Sequence, residues 1–171
     1  MKKINGKSPI LSLFSKLKYF IDKTIDLFTI INLFLLISTV TIQVFSRYVL
    51  NNPLTWTSEL ARFLFIWLVF LSSSIVFRDR QHLSVDYFVK MLPAKIKYFE
   101  DIFIQIAIGL FLLVILYYAP GFISITMTQT SATLSIPMGL IYLSFPFSAA
   151  LMLLELIFRA GIFFADRKDS V

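Results

Sequence analysis

From Ile102 to Leu154 the chain carries not one charged side chain, and nothing else in it limits the possible folds so strongly. A helix needs about 20 mostly apolar residues to cross the hydrocarbon core of a bilayer. The uncharged run is too long for one crossing, so it must be divided. The whole chain agrees with a membrane setting: of its 171 residues 58% are apolar and only 15% charged, and mean hydropathy is +0.82. Soluble domains of this length lie far from those values. The expected fold class is an all-α integral membrane protein with four transmembrane helices.

The spans fall at residues 24–46, 57–77, 98–119 and 138–164. The first is free of charge from Leu27 to Ser46 and the second from Phe63 onward. In the uncharged run, Pro120 and Gly121 are expected to begin the break between spans three and four, a polar stretch from Ser124 to Ser135 to continue it, and Pro137 to restart a helix capped by Ser135 or Ile136. Pro146, inside the fourth span, suggests a kink of the kind membranes tolerate.

Lys and Arg accumulate on the cytoplasmic flanks of spans joined by short loops. Here every one but Arg47 and Arg62 lies before the first span, between spans two and three, or at the C-terminal end, where Arg159, Arg167 and Lys168 stand. Both termini are therefore expected inside, with two loops on the outer face. The net charge of +6 thus reads as membrane orientation rather than nucleic-acid binding. The first apolar run is too long, and lacks the small-residue pattern, for a cleavable signal, so it is kept as a span. Upstream, Ile10, Leu13, Phe14, Leu17, Phe20 and Ile21 recur at helical spacing between lysines. Residues 9–22 are expected to form an amphipathic helix on the cytoplasmic surface, the alternative being a plain extension of span one. Residues 83–91 read as a short interfacial helix that ends before Pro93.

Polar residues at membrane depth are costly and are usually protein contacts or functional groups. Asn32, Thr39, Gln43 and Ser46 or Arg47 share one side of span one and are expected to face protein, since unsatisfied amides do not suit hydrocarbon. Ser72, Ser73 and Ser74 permit close helix approach. Glu59 and Arg62, three residues apart, can pair on one helix face; a contact with a partner subunit or the adjacent loop is the other reading. Counting about 1.5 Å per residue from Phe77 puts Glu59 at the opposite interface, away from the membrane centre. Asp26 and Glu155 lie near span ends, where Glu155 has Arg159 in the favourable i,i+4 position. His82 stands alone between Arg80 and Asp86, which suits a structural hydrogen bond and excludes a histidine metal cluster. The absence of cysteine removes thiolate chemistry. No phosphate-binding glycine loop, nucleophile elbow or paired metal-ligand spacing occurs. Neither an enzyme nor a cofactor is expected.

Taken together, Arg47 and Tyr48 closing the first span, Asn51, Pro53 and Trp56 in the turn, and Glu59, Leu60 and Arg62 opening the second resemble the DctQ-like small membrane subunit of tripartite ATP-independent periplasmic (TRAP) transporters. Arg78, Arg80, His82, Val85 and Asp86 after span two, Leu92 and Pro93, and the Ser135-Ile136-Pro137 step fit the same pattern. Ser72 to Ser74 stand where the family often has Gly and Ala. The resemblance implies one DctQ-like domain over residues 1–171 in the bacterial inner membrane. It implies a scaffold for a large permease that carries substrate and sodium, with a periplasmic substrate-binding protein docking on the outer face. Transported compounds in such systems include C4-dicarboxylates, sialic acids and sugar acids. Membrane lipid is the other implied partner, and nucleic acid is not one. The subunit-interface or structural candidates are Asn32, Thr39, Gln43, Arg47, Trp56, Glu59, Arg62, Ser73, Arg78, His82 and Asp86. An adaptor of an unrelated inner-membrane complex fits composition and topology equally well. A small multidrug exporter would need an acidic residue at mid-depth, which the spans lack.

Overall fold

A computed structural model describes residues 9–79 and 94–168, and places side chains over 18–79 and 102–159. The described residues form five helices: α1 Pro9–Tyr48, α2 Thr55–Asp79, α3 Ala94–Met127, α4 Met138–Tyr142 and α5 Ser144–Lys168. Four segments are long and apolar enough to cross a membrane: Lys18–Tyr48, Thr55–Asp79, Ile102–Met127 and Met138–Arg159, the last built from α4 and α5.

Two boundaries differ from the expectations. Residues 9–22 continue the first span as part of one 40-residue helix, because neither Gly nor a second Pro interrupts the run after Pro9. The helix also does not break at Pro120 and Gly121: α3 passes through both and ends only at Met127. Proline removes one backbone donor, and membrane helices absorb that loss. The end comes where Thr126 and Thr128 turn their hydroxyls back onto the carbonyls of Ile123 and Ile125, at 3.1 and 2.7 Å. At Pro146 the opposite holds. That residue has no N–H for the carbonyl of Tyr142, and the helix is interrupted one residue later, at Leu143. The short interfacial helix placed at 83–91 lies outside the described residues.

The helices pack as a row. α1 lies along α2, α2 along α5, and α5 along α3, so α2 and α5 occupy the middle and α1 and α3 the flanks. Phe28, Trp67 and Phe147 tie α1, α2 and α5 together, with successive ring centroids 6.3 Å apart. Buried positions are largely small or hydroxylated: Ser46, Thr57, Ser74, Ser144 and Ser148 join Leu71 and Phe63, while large apolar side chains cover the outside. Lipid rewards no apolar core, so small side chains that let backbones approach take the interior. Where α3 meets α5, a methyl at Gly109 would stand 3.1 Å from Leu156.

The connection from α1 to α2 turns at Asn51, whose φ of 50° places it in the left-handed region that Asn tolerates. The connection from α3 to α4 is a miniature hairpin. Met138 N–H reaches Gln129 O at 2.8 Å, Ser131 N–H reaches Ile136 O at 2.9 Å, and Ser135 takes φ 53° at the bend.

Candidate functional site

The paired charged residues of the described chain gather at the two ends of α2. At the first end, Glu59 points across to the α3–α4 hairpin. Its carboxylate accepts the backbone N–H groups of Ala132, Thr133 and Leu134 at 3.1, 3.0 and 2.9 Å. Three successive N–H groups converging on one carboxylate form an anion nest, and charge-assisted bonds of this kind are stronger than neutral ones. The Glu59–Arg62 pair allowed by spacing does not form: the acid is spent on the hairpin, and Arg62 is exposed with no ion pair among the described residues. The loop partner was one of the readings left open. Nearby, Gln43 of α1 donates its side-chain amide to Ser58 Oγ of α2 at 2.9 Å.

At the other end, charges from three helices interlock. Arg78 of α2 meets Asp26 at 2.9 Å and Asp22 at 3.6 Å, both on α1, and its neighbour Asp79 at 3.0 Å. Glu155 of α5, nearly buried, receives Lys18 of α1 at 2.7 Å and Arg159 at 3.2 Å. Arg159 also donates to the carbonyls of Phe77 and, at 3.0 Å, Arg78. Those carbonyls belong to the last turn of α2, which has no further helical donors to offer them. A cation from α5 therefore caps the negative end of the α2 dipole. Asp22, Ser74, Arg78, Leu151 and Glu155 line a shallow cleft between these helices.

Between the two ends the helices are joined by small hydroxyls. Ser148 of α5 donates to the Phe70 carbonyl of α2 at 2.6 Å. The expected stripe on α1 is protein-facing, but toward the chain's own bundle: Asn32, Thr39 and Ser46 are buried, while Arg47 is exposed. Thr39 is satisfied by Leu35 O at 2.8 Å, whereas Asn32 Oδ1 has no partner among the described residues. Ser73 bonds its own helix at Val69 O; its neighbour Ser74 is the buried one of the triplet. Trp56 is partly exposed beside the α1–α2 turn. His82 and Asp86 lie outside the described residues. Spacing could not have found Lys18–Glu155, Ser148–Phe70 or the 132–134 nest, since each partner is remote in sequence. Among the described residues, no three acidic or histidine side chains gather to hold a metal ion.

A row of four spans, braced by ion pairs at one end and a carboxylate nest at the other, defines a small multi-pass membrane protein. The family model for the DctQ component of tripartite ATP-independent periplasmic transporters matches residues 36–161. The chain belongs to that family; it is a TRAP transporter subunit of the inner membrane, not an enzyme. It is 26% identical over 136 residues to a putative TRAP transporter small permease protein of Haemophilus influenzae, covering 80% of this chain and 82% of that one. It is 28% identical over 127 residues to the sialic acid TRAP transporter permease protein SiaT of Haemophilus influenzae, covering 74% of this chain but 21% of SiaT. It is likewise 28% identical over 138 residues to the isethionate TRAP transporter permease protein DctMQ of Oleidesulfovibrio alaskensis, covering 76% of this chain and 22% of that protein. The chain thus spans about a fifth of the length of these two larger relatives.

Proposed function

We propose that this chain is the small scaffold subunit that stands beside a large TRAP permease, the M subunit, and braces it during sodium-driven uptake of an organic acid delivered by a periplasmic substrate-binding protein. The observation that carries the reading is the double fastening of α2: Glu59 holds the 132–134 backbone at one end and Arg159 caps Phe77 and Arg78 at the other. A subunit that itself alternated between inward- and outward-open states would have to break such fastenings in each cycle. A fixed support would keep them. The two larger relatives, in which the matching region is a fifth of a longer permease, support a large neighbour.

In this reading both termini face the cytoplasm, as the placement of Lys and Arg favours. The Asn51 turn and the 128–137 hairpin then face the periplasm, where Trp56 and Arg62 border the surface open to the binding protein. The N-terminal turns of α1 extend beyond the bilayer, since 40 residues at about 1.5 Å each exceed its roughly 30 Å core. The names of relatives point to sialic acid and isethionate as carried compounds, so the substrate class proposed is an organic acid, with sialic acids and C4-dicarboxylates to be tried first. The test is uptake of labelled organic acids by the three purified parts in vesicles, with and without a sodium gradient. Uptake should collapse when this chain is omitted. Full uptake without it would end the scaffold reading.

A further inference from the structure

The two flanks of the row differ in how they suit lipid. On α1 the exposed hydroxyls of Thr24, Ser38 and Thr41 each bond a carbonyl of their own helix at 2.8 to 2.9 Å. Those hydroxyls offer hydrocarbon nothing unsatisfied, and the exposed tyrosines of α1, Tyr19 and Tyr48, lie toward its two ends rather than at its middle. On α3, Tyr117 and Tyr118 are 79% and 68% exposed, stack edge to face on each other, and have no hydrogen-bond partner for either phenol among the described residues.

Tyrosine usually sits at the membrane surface, where the phenol reaches water. Tyr117 lies only about 4 Å of helix rise from the midpoint of the Ile102–Met127 span. It also stands beyond that midpoint toward the helix C-terminus, and Cα–Cβ bonds tilt toward the N-terminus. The ring is therefore directed back toward the centre of the bilayer rather than outward to the interface. One turn further on, Pro120 has no N–H to give the Leu116 carbonyl. Gly121 is exposed, and beyond the adjoining backbone of its own helix no atom stands within 4 Å of the place a Cβ would take.

Phe103, Ile106, Leu110, Val114, Tyr117 and Gly121 are all exposed, and they follow one another at steps of three and four. That spacing makes a straight seam of the kind two packed helices share, and the glycine allows close approach. We infer that this α3 seam is the docking face for a transmembrane helix of the large permease, which meets the Tyr117 phenol with a hydrogen-bond acceptor at mid-depth. The inference rests on the subunit reading above and adds the face to it. Among the described residues the row leaves α3 as an outer flank with no neighbour on that side, and the larger relatives, named as permease proteins, have about four-fifths of their length beyond the matching region from which a covering helix could come.

A photo-crosslinking amino acid placed at Leu110, at Tyr117 and, on the other flank, at Phe34 tests the assignment in membranes that contain the co-expressed large permease. Adducts with the permease are expected from 110 and 117 and not from 34. Gly121→Leu should abolish the adduct from 110 without lowering the unfolding temperature of the purified small subunit, because a Cβ at 121 meets no neighbouring element and leucine is the better helix former. Adducts only with lipid or with a second copy of this chain, or equal permease adducts from position 34, would overturn the α3 assignment. Co-purification of the two proteins separates the levels: if they co-purify yet the seam yields no permease adduct, the face is wrong and the subunit reading stands. If they never co-purify, both fail.

Discussion

Lys18 and Glu155 sit 2.7 Å apart, nitrogen to oxygen, and so join α1 to α5 across helices that share no extended packing. The carboxylate is 8% exposed and Arg159 occupies its other oxygen. Glu155→Gln would leave two cations facing a neutral amide in a nearly dry setting. Because both cations keep some access to water, a loss of about 2–3 kcal/mol is expected, at or below the range for a broken buried pair. Thermal unfolding in detergent measures it. The double change Lys18→Met with Glu155→Gln should recover part of the loss, and strict additivity of the two would contradict the coupling.

Glu59 should govern the shape of the α3–α4 hairpin more than the stability of the bundle. Glu59→Ala removes the acceptor of three N–H groups, whereas Glu59→Gln keeps one oxygen. A cysteine at Thr133, labelled by a membrane-impermeant thiol reagent, is expected to react faster in the Ala background and at an intermediate rate in the Gln background. Identical rates in all three would mean that the nest does not hold the loop.

Gly139 is where α4 crosses the end of α3, and a Cβ there would stand 2.6 Å from Met127 Cγ and 3.0 Å from the Met127 backbone nitrogen. The side chain can swing away but the backbone cannot. Gly139→Val is therefore expected to cost about 1–3 kcal/mol by overpacking, with only partial rescue by Met127→Ala. Complete rescue would show that the backbone contact is not limiting.

Ser148→Ala removes the donor to Phe70 O at the middle of the α2–α5 contact. The carbonyl retains its helical role, so the loss should be modest, about 1 kcal/mol. Ser148→Leu should cost more, because Ser148 is only 2% exposed and has no room for a branched side chain. Comparing the two melting curves tests whether size or the hydroxyl dominates at this contact.

The spans were legible because hydropathy and length decide them with little help from tertiary structure. Pro120 misled because rules learned in water count a missing N–H as a stop, and a membrane helix continues past it. The N-terminal segment misled in the other direction: its charged and apolar faces are clear, yet nothing in the backbone chemistry between it and the span forces a break. Among the site residues, Asn32, Thr39 and Gln43 were recognisable as a protein-facing stripe, but periodicity does not say which protein, and the neighbour is the chain's own α2. Glu59 has a partner more than seventy residues away, and no local spacing announces a backbone nest that exists only once the hairpin closes.

Thr24, Thr29, Ser38, Thr39, Thr41 and Ser73 all return their hydroxyls to carbonyls four residues earlier in the same helix. Each of these segments can therefore enter the bilayer alone, with its hydroxyls already paired, before any companion helix arrives. Among the described residues, bonds that cross between helices are few: Gln43 to Ser58, Ser148 to Phe70, and the charged fastenings at the two ends of α2. Insertion is thereby separated from assembly. The first step draws on hydrophobicity and local pairing, while the second is decided by a handful of long-range bonds that select one arrangement of helices already committed to the membrane.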